Sequence, residues 1–222
     1  DSVEDSKRIE KVYCCVVPGS QSFTLANGAI TSNCFLFRAL DSREGWGNLM
    51  DKVTNSLMTG GGIGVVYSDV RGEGESVGGM GGKSTGPCAL MQMVNECGRH
   101  IMQGGSRRSA IWAGLHWSHP DIEKFIRLKN WDKLTRQGKE QNFNFPAPMD
   151  CTNISVILDT EFHKAYRDVT HPKHEQAVGV YRTTCFKMLS TAEPGFSSDM
   201  YDNEGENLRN ACTEVSSFDD SD

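Results

Sequence analysis

From Cys34 onward, short β-branched or aromatic runs alternate with stretches whose apolar residues recur every three or four positions. This alternation restricts the chain to α/β folds built on parallel strands. Ser42 is a plausible N-cap for a helix carrying Trp46, Leu49, Met50, Val53 and Leu57, which Gly60 to Gly62 stop. Ile63 to Tyr67 reads as a buried strand and Gly72 to Gly86 as a long glycine-rich loop. A second helix begins near Pro87, carries Leu90, Met91, Val94 and Ile101, and ends at Gly104-Gly105. Arg108 to Leu115 suits a strand. Ser118-His119-Pro120-Asp121 reads as a capping box ahead of the apolar stripe Ile122, Phe125 and Ile126. Asn153 to Leu158 is another strand, with a short helix around Phe162 to Arg167 and a polar surface insertion from Asp168 to Gln176. No internal repeat is visible.

The text before Cys34 has a different grain. Val12 to Val17 and Ser22 to Leu25 are β-rich runs parted by Pro18-Gly19-Ser20, with Asn27-Gly28 as a second turn, which predicts a hairpin-like β element. A domain boundary is therefore expected between Asn33 and Cys34, giving units 1–33 and 34–222.

Charge excludes several functions. The 222 residues carry 23 Lys+Arg against 29 Asp+Glu, a net charge of −6, so no cation excess exists to neutralise a phosphate backbone. Nucleic acid and membrane are not expected partners. No apolar run approaches the roughly 18 residues of a spanning helix, and the acidic N-terminus lacks a signal-peptide core, so a soluble, cytoplasmic chain is expected. The eight cysteines include no CxxC and read as reduced thiols.

Two glycine-rich patterns and two histidine pairs carry no site. Before Gly81-Gly82-Lys83-Ser84-Thr85 the first glycine of a phosphate loop would fall on Val77, and Gly86-Pro87 interrupts the required helix. Gly60 to Gly64 precedes a strand instead of joining strand to helix, so it is no dinucleotide fingerprint. The pairs His116/His119 and His171/His174 lack further ligands at metal spacing, and no metal site is expected.

The run from Val12-Tyr13 through Ser22-Phe23-Thr24-Leu25 and Asn27-Gly28 to Asn33-Cys34 resembles the C-terminal splicing block of an intein. That implies an all-β, Hint-type segment over residues 1–33. By resemblance, Asn33 cyclises to a succinimide and cuts the chain, while the Cys34 thiol captures an upstream thioester. Ser32 and Gln21 stand where many inteins have histidine.

Further on, Thr59 to Gly64, Gly104 to Ala110, His119 to Ile126, Asn153 to Val156 and Glu193-Pro194-Gly195-Phe196 occur in order before Asn210-Ala211-Cys212-Thr213-Glu214. This text resembles the catalytic subunit of a ribonucleotide reductase from Cys34 to the last residue, which implies part of that family's α/β barrel. Removing a ribose 2′-hydroxyl is eased by a radical on the adjacent carbon, and a thiyl can make one because its S–H bond is close in strength to a C–H bond beside oxygen. By resemblance, Cys212 carries the thiyl, Glu214 is the general base for the 3′-hydroxyl, Asn210 holds the substrate, and Cys34 is half of the reducing dithiol.

The resemblance also implies that Met102 to Ser109, with Gly104, Gly105, Ser106, Arg107 and Arg108, form the loop relaying the identity of a deoxynucleotide effector. Arg107 is its best candidate for substrate contact. The arginine run favours the adenosylcobalamin-dependent class. Expected partners are a ribonucleotide substrate, a nucleotide effector, an N-terminal intein/extein half, a thioredoxin-type reductant and a missing C-terminal reductase segment. The family's second reducing cysteine is absent before Asp222, so the chain reads as an incomplete reductase, inactive as it stands. The alternatives are a protein-splicing fragment and a non-catalytic effector-binding piece of a split reductase.

Overall fold

The structure is a computed structural model that describes residues 22–24, 30–32, 34–78, 81–101, 109–198, 208–209, 211 and 216–217. The chain divides into two units, Asp1–Asn33 and Cys34–Asp222. In the first, β1 (Ser22–Thr24) pairs antiparallel with β2 (Ile30–Ser32), with Ser22 opposite Ser32 and Thr24 opposite Ile30. The predicted Asn27-Gly28 turn lies between them, outside the described residues, as does the Val12 to Val17 run.

The second unit is wound on a five-stranded parallel sheet. Its strands are β3 (Phe35–Arg38), β4 (Ile63–Val66), β7 (Ile111–His116), β8 (Thr152–Leu158) and β9 (Gly195–Ser198), ordered β3-β4-β7-β8-β9. Between them run α1 (Arg43–Met58), the paired β5 (Ser76–Val77) and β6 (Gly82–Lys83), α2 (Gly86–His100), α3 (Ile122–Ile126), α4 (Lys133–Gln141), α5 (Thr160–Arg167) and α6 (His174–Thr191). Strand order follows chain order without reversal, and right-handed crossovers then place every connecting helix on one face of the sheet. The α/β expectation is met, with the winding of a barrel wall instead of a doubly wound sheet.

Side-chain alternation divides the core accordingly. Ile63, Val65, Ile111, Ala113, Leu115, Ile154, Val156 and Leu158 meet Leu49, Val53, Leu57, Leu90, Met91, Val94, Phe125, Phe162 and Val180 from the helices in one cluster. Full burial of each such side chain is worth roughly 1.5–3 kcal/mol. On the opposite face, Val66, Trp112 and Ile157 form a smaller cluster with Leu36 against it, and the Trp112 indole N–H donates to Ser155 Oγ at 3.0 Å.

Ser42 caps α1 as predicted, its Oγ accepting the Gly45 N–H at 2.9 Å. Three expectations change. The second helix stops at His100, because Ile101 is extended and its carbonyl accepts the Ser109 hydroxyl at 3.0 Å. Asp121 precedes α3 without capping it through its side chain. The polar insertion is shorter than expected, since His174 to Gln176 open α6, whose buried positions include Thr184 and Lys187 and so blur its apolar period. α4 buries no residue and is held at its start by Asp132, which accepts the Thr135 N–H at 2.7 Å. Among the described residues, no helix is long and apolar enough to cross a membrane.

Candidate active site

Cys34 stands one residue before β3, and Gly62 and Ala110 occupy the matching places before β4 and β7. Phe35 N–H donates to Gly62 O at 2.8 Å and Ile63 N–H to Ala110 O at 2.9 Å, which locks the three into one row across the N-terminal edge of the sheet. By alternation all three share the face of Trp112, away from the helices.

Onto this row comes a segment from much later in the chain. β10 (Leu208–Arg209) pairs antiparallel with β11 (Ser216–Ser217), and β10 lies against β3 and β4, with Cα atoms within 8 Å. Ala211, two residues after β10, is buried, and its methyl lies 3.0 Å from where a Cβ on Gly62 would stand. Cys34 Sγ is 3.3 Å and Ala110 Cβ 3.4 Å from the same point. Gly62 is therefore needed for space: a hydrogen there lets Ala211 seat beside the Cys34 thiol.

Cys34 is half-buried and free, as are Cys97, Cys151 and Cys185, while Cys88 is free and buried. Burial, with the Asp121 carboxylate adding to it, pushes the Cys88 thiol up to about 12. Burial also raises Cys97 and Cys151. All three are held as neutral thiols, the inert form of cysteine. Asn33, Asn210, Cys212, Glu214 and Gly104 to Arg108 lie outside the described residues, so of the predicted catalytic set the structure places Cys34 itself and the neighbour of Asn210 and Cys212.

The predicted effector loop leaves from a braced base. Ile101 and Ser109, at its two ends, are joined by the hydroxyl bond described above. Just before it, Arg99 donates to Asp150 at 2.8 and 2.6 Å, to Glu96 at 2.9 and 3.2 Å and to the Ala147 carbonyl at 3.1 Å. Burial alone would raise the Asp150 carboxyl, but donors on Arg99, Lys139 and Asn95 outweigh it and hold Asp150 at about 2. A cavity of about 400 Å3 opens beside this brace, lined by Ser109, Ala110, Cys151 and Asn153 among others.

A second cavity, of about 290 Å3, went unnoticed in the sequence. Asp41 and Trp46 line it from the α1 end, and Arg71, Lys83, Ser84 and Thr85 from the glycine loop. Arg71 Nε donates to Asp41 at 2.7 Å and its Nη1 to the Ser76 carbonyl at 2.8 Å. The phosphate-loop pattern fails here, as expected, yet its Lys83-Ser84-Thr85 end does line a cavity beside an arginine. The ring nitrogens of the histidine pairs are used singly, His116 with Ser118 and Asp159, His119 with Val70 and Asp121, His171 with Glu161 and Lys173, and His174 with Ala165. Among the described residues, no group of three or more His, Cys, Asp or Glu could hold a metal ion.

A singly wound parallel sheet with the Cys34 thiol at one edge and Ala211 packed against it has the form of one wall of an α/β barrel. The chain belongs to the ribonucleotide reductase barrel-domain family, whose model matches residues 32–214. It is 33% identical over 206 residues to the vitamin B12-dependent ribonucleoside-diphosphate reductase of Thermoplasma acidophilum, covering 85% of this chain and 25% of that protein. It is 30% identical over 158 residues to the ribonucleoside-diphosphate reductase large chain of Cryptosporidium parvum, covering 62% and 20%. Among solved structures, the class Id ribonucleotide reductase alpha subunit of Actinobacillus ureae shares the fold with a TM-score of 0.53 at 13% identity, over 73% of this chain and 26% of that one. The chain thus spans a fifth to a quarter of the length of these relatives.

Proposed function

We propose that residues 34–222 supply the thiyl-radical half of a ribonucleotide reductase site. The observation that carries this is the meeting of Cys34 Sγ and Ala211 at Gly62, since Ala211 is flanked by Asn210 and Cys212. The Cys212 thiyl takes the 3′ hydrogen of the ribonucleotide, Glu214 takes the 3′-hydroxyl proton, and Asn210 holds the sugar. The 2′-hydroxyl leaves as water with a proton from Cys34. Cys34 and a second cysteine, from a further segment of the reductase, supply two electrons and the hydrogen that replaces the hydroxyl at C2′, and close a disulfide. Glu214 and Cys212 return the proton and the hydrogen to the 3′ position so that the thiyl is regenerated, and a thioredoxin-type reductant reopens the disulfide.

The relatives include vitamin B12-dependent reductases, such as that of Thermoplasma acidophilum, and reductase large chains not described as such. Adenosylcobalamin, when bound, supplies the radical.

The effector nucleotide is assigned to the 290 Å3 cavity. Arg71 and Lys83 suit its phosphates, Ser84 and Thr85 add hydroxyls, and the Trp46 indole offers a face to its base. The loop over 102–108 then carries the message to the Cys34 row. The test of the reaction is turnover in the protein completed with the segments its relatives carry beyond this match. Cys34→Ser should consume substrate without sustained deoxynucleotide release, and normal multiple turnover by that variant would refute the reading.

A second reading covers residues 1–33. They lie outside the family match but for its first two residues, they form a separate unit ending at Asn33, and they hold the β1–β2 pair expected of a splicing block. We infer that this unit excises itself at Asn33-Cys34 when an N-terminal intein half is supplied.

A further inference from the structure

The His119-Pro120-Asp121 run, which from sequence caps a helix, is used differently in the fold. Both Asp121 carboxylate oxygens accept the Glu73 backbone N–H, at 3.1 and 3.0 Å. His119 Nε2 meets the Val70 carbonyl at 2.7 Å and so donates there, which leaves Nδ1 to accept the Asp121 N–H at 3.0 Å. Both side chains are buried. Lys124, from α3, pairs with the Glu73 carboxylate at 2.5 Å.

The same segment also grips the far end of the glycine loop. Gly86 opens α2 at φ +73°, and a Cβ there would stand 2.3 Å from Asp121 Oδ2 and 3.0 Å from the Glu73 nitrogen. A Cβ on Gly72 would come within 3.0 Å of Pro120. Residues 70–73 and Gly86 are thus clamped together by one short motif. β5 and β6 extend from that clamp, and Arg71 and Lys83 line the effector cavity beside it.

We propose that His119-Pro120-Asp121 is a latch that sets the position of residues 70–78 and 81–86, so that Arg71 and Lys83 face one nucleoside triphosphate. Asp121 and His119 are then positioning residues for that cavity. The proposal rests on the effector reading above. A carboxylate serves better than a neutral cap here because one amide shared between two charged oxygens is held along two directions at once, and hydrogen bonds to charged groups are the stronger ones.

The test uses the full chain with dATP and inorganic tripolyphosphate as probes, binding being measured by calorimetry and amide exchange by mass spectrometry on residues 70–78. Asp121→Ala should speed exchange there and raise the dissociation constant about tenfold, and Asp121→Asn, keeping one acceptor oxygen, about threefold. Val180→Ala, a buried α6 position, should lower the melting temperature and leave both constants unchanged. Unchanged affinity in the Asp121 variants overturns the latch, as does an equal loss in Val180→Ala. If Asp121→Ala does not fold, wild-type affinity in Asp121→Asn overturns it. Failure of the wild-type chain to bind either probe overturns the cavity assignment itself, a separate result from binding that ignores Asp121.

Discussion

The sulfur of Cys34 and the methyl of Ala211, distant in sequence, come within 3.3 and 3.0 Å of one point, the place a Cβ on Gly62 would occupy. A residue expected to reduce and a residue beside the expected radical carrier are brought together by the absence of one side chain.

Gly62→Ala puts a methyl on that point. Overpacking of this kind costs about 1–3 kcal/mol unless a neighbour moves. Ala211 lies outside the five-stranded sheet that fixes Cys34 and Ala110, so it should move first. The expected outcome is a lower melting temperature together with faster alkylation of Cys34 by iodoacetamide. Unchanged alkylation would mean that Ala211 does not shield the thiol.

Asp150 should be a pH-dependent brace. Its folded pKa of about 2 lies below the ordinary 3.8, so its contribution is present in full above the ordinary value and fades as the pH falls toward 2. Asp150→Asn leaves Arg99 and Lys139, each 15% exposed, without their shared anion. Breaking such a pair costs about 3–5 kcal/mol. Urea unfolding should show that gap at pH 7 and a much smaller one near pH 2.5. A gap independent of pH would contradict the assignment.

Ser109→Ala removes the bond that closes the base of the 102–108 loop. A single hydrogen bond is worth about 0.5–1.5 kcal/mol, so stability should change little. Effector control should change more: in the completed enzyme, substrate preference should respond less to the effector present while effector affinity stays near wild type. Competition assays between two ribonucleotides read this directly.

Much of this architecture was legible because burial and periodicity agree. The α1 cap at Ser42 and the strands containing Ile63, Leu115 and Ile154 follow from local pattern alone. α6 was missed because Thr184 and Lys187 occupy its inner face, and α4 because a helix that buries nothing has no stripe to read. Cys34 was singled out by its motif, and its sulfur lies beside Ala211. The Arg71 and Lys83 cavity was not, since its walls come from two distant stretches and match no fixed spacing. Asp121 misled for a related reason: a capping sequence and a long-range acceptor look alike until the Glu73 amide is seen opposite.

Asn33→Ala should block excision of the first unit, because no other side chain can form the succinimide at that bond. With an N-terminal intein half supplied, mass spectrometry should show branched or uncleaved chain. Normal ligated product would contradict the splicing reading of residues 1–33.

The central claim is that Cys212, the chain neighbour of the Ala211 seated beside Cys34, is the hydrogen-abstracting thiol. The direct measurement is tritium release to water from a [3′-3H]ribonucleotide by the completed enzyme, comparing wild type with Cys212→Ser. A serine O–H is too strong to open by the same exchange, so release should disappear in the variant while effector binding persists. Tritium released by Cys212→Ser at the wild-type rate would contradict the account.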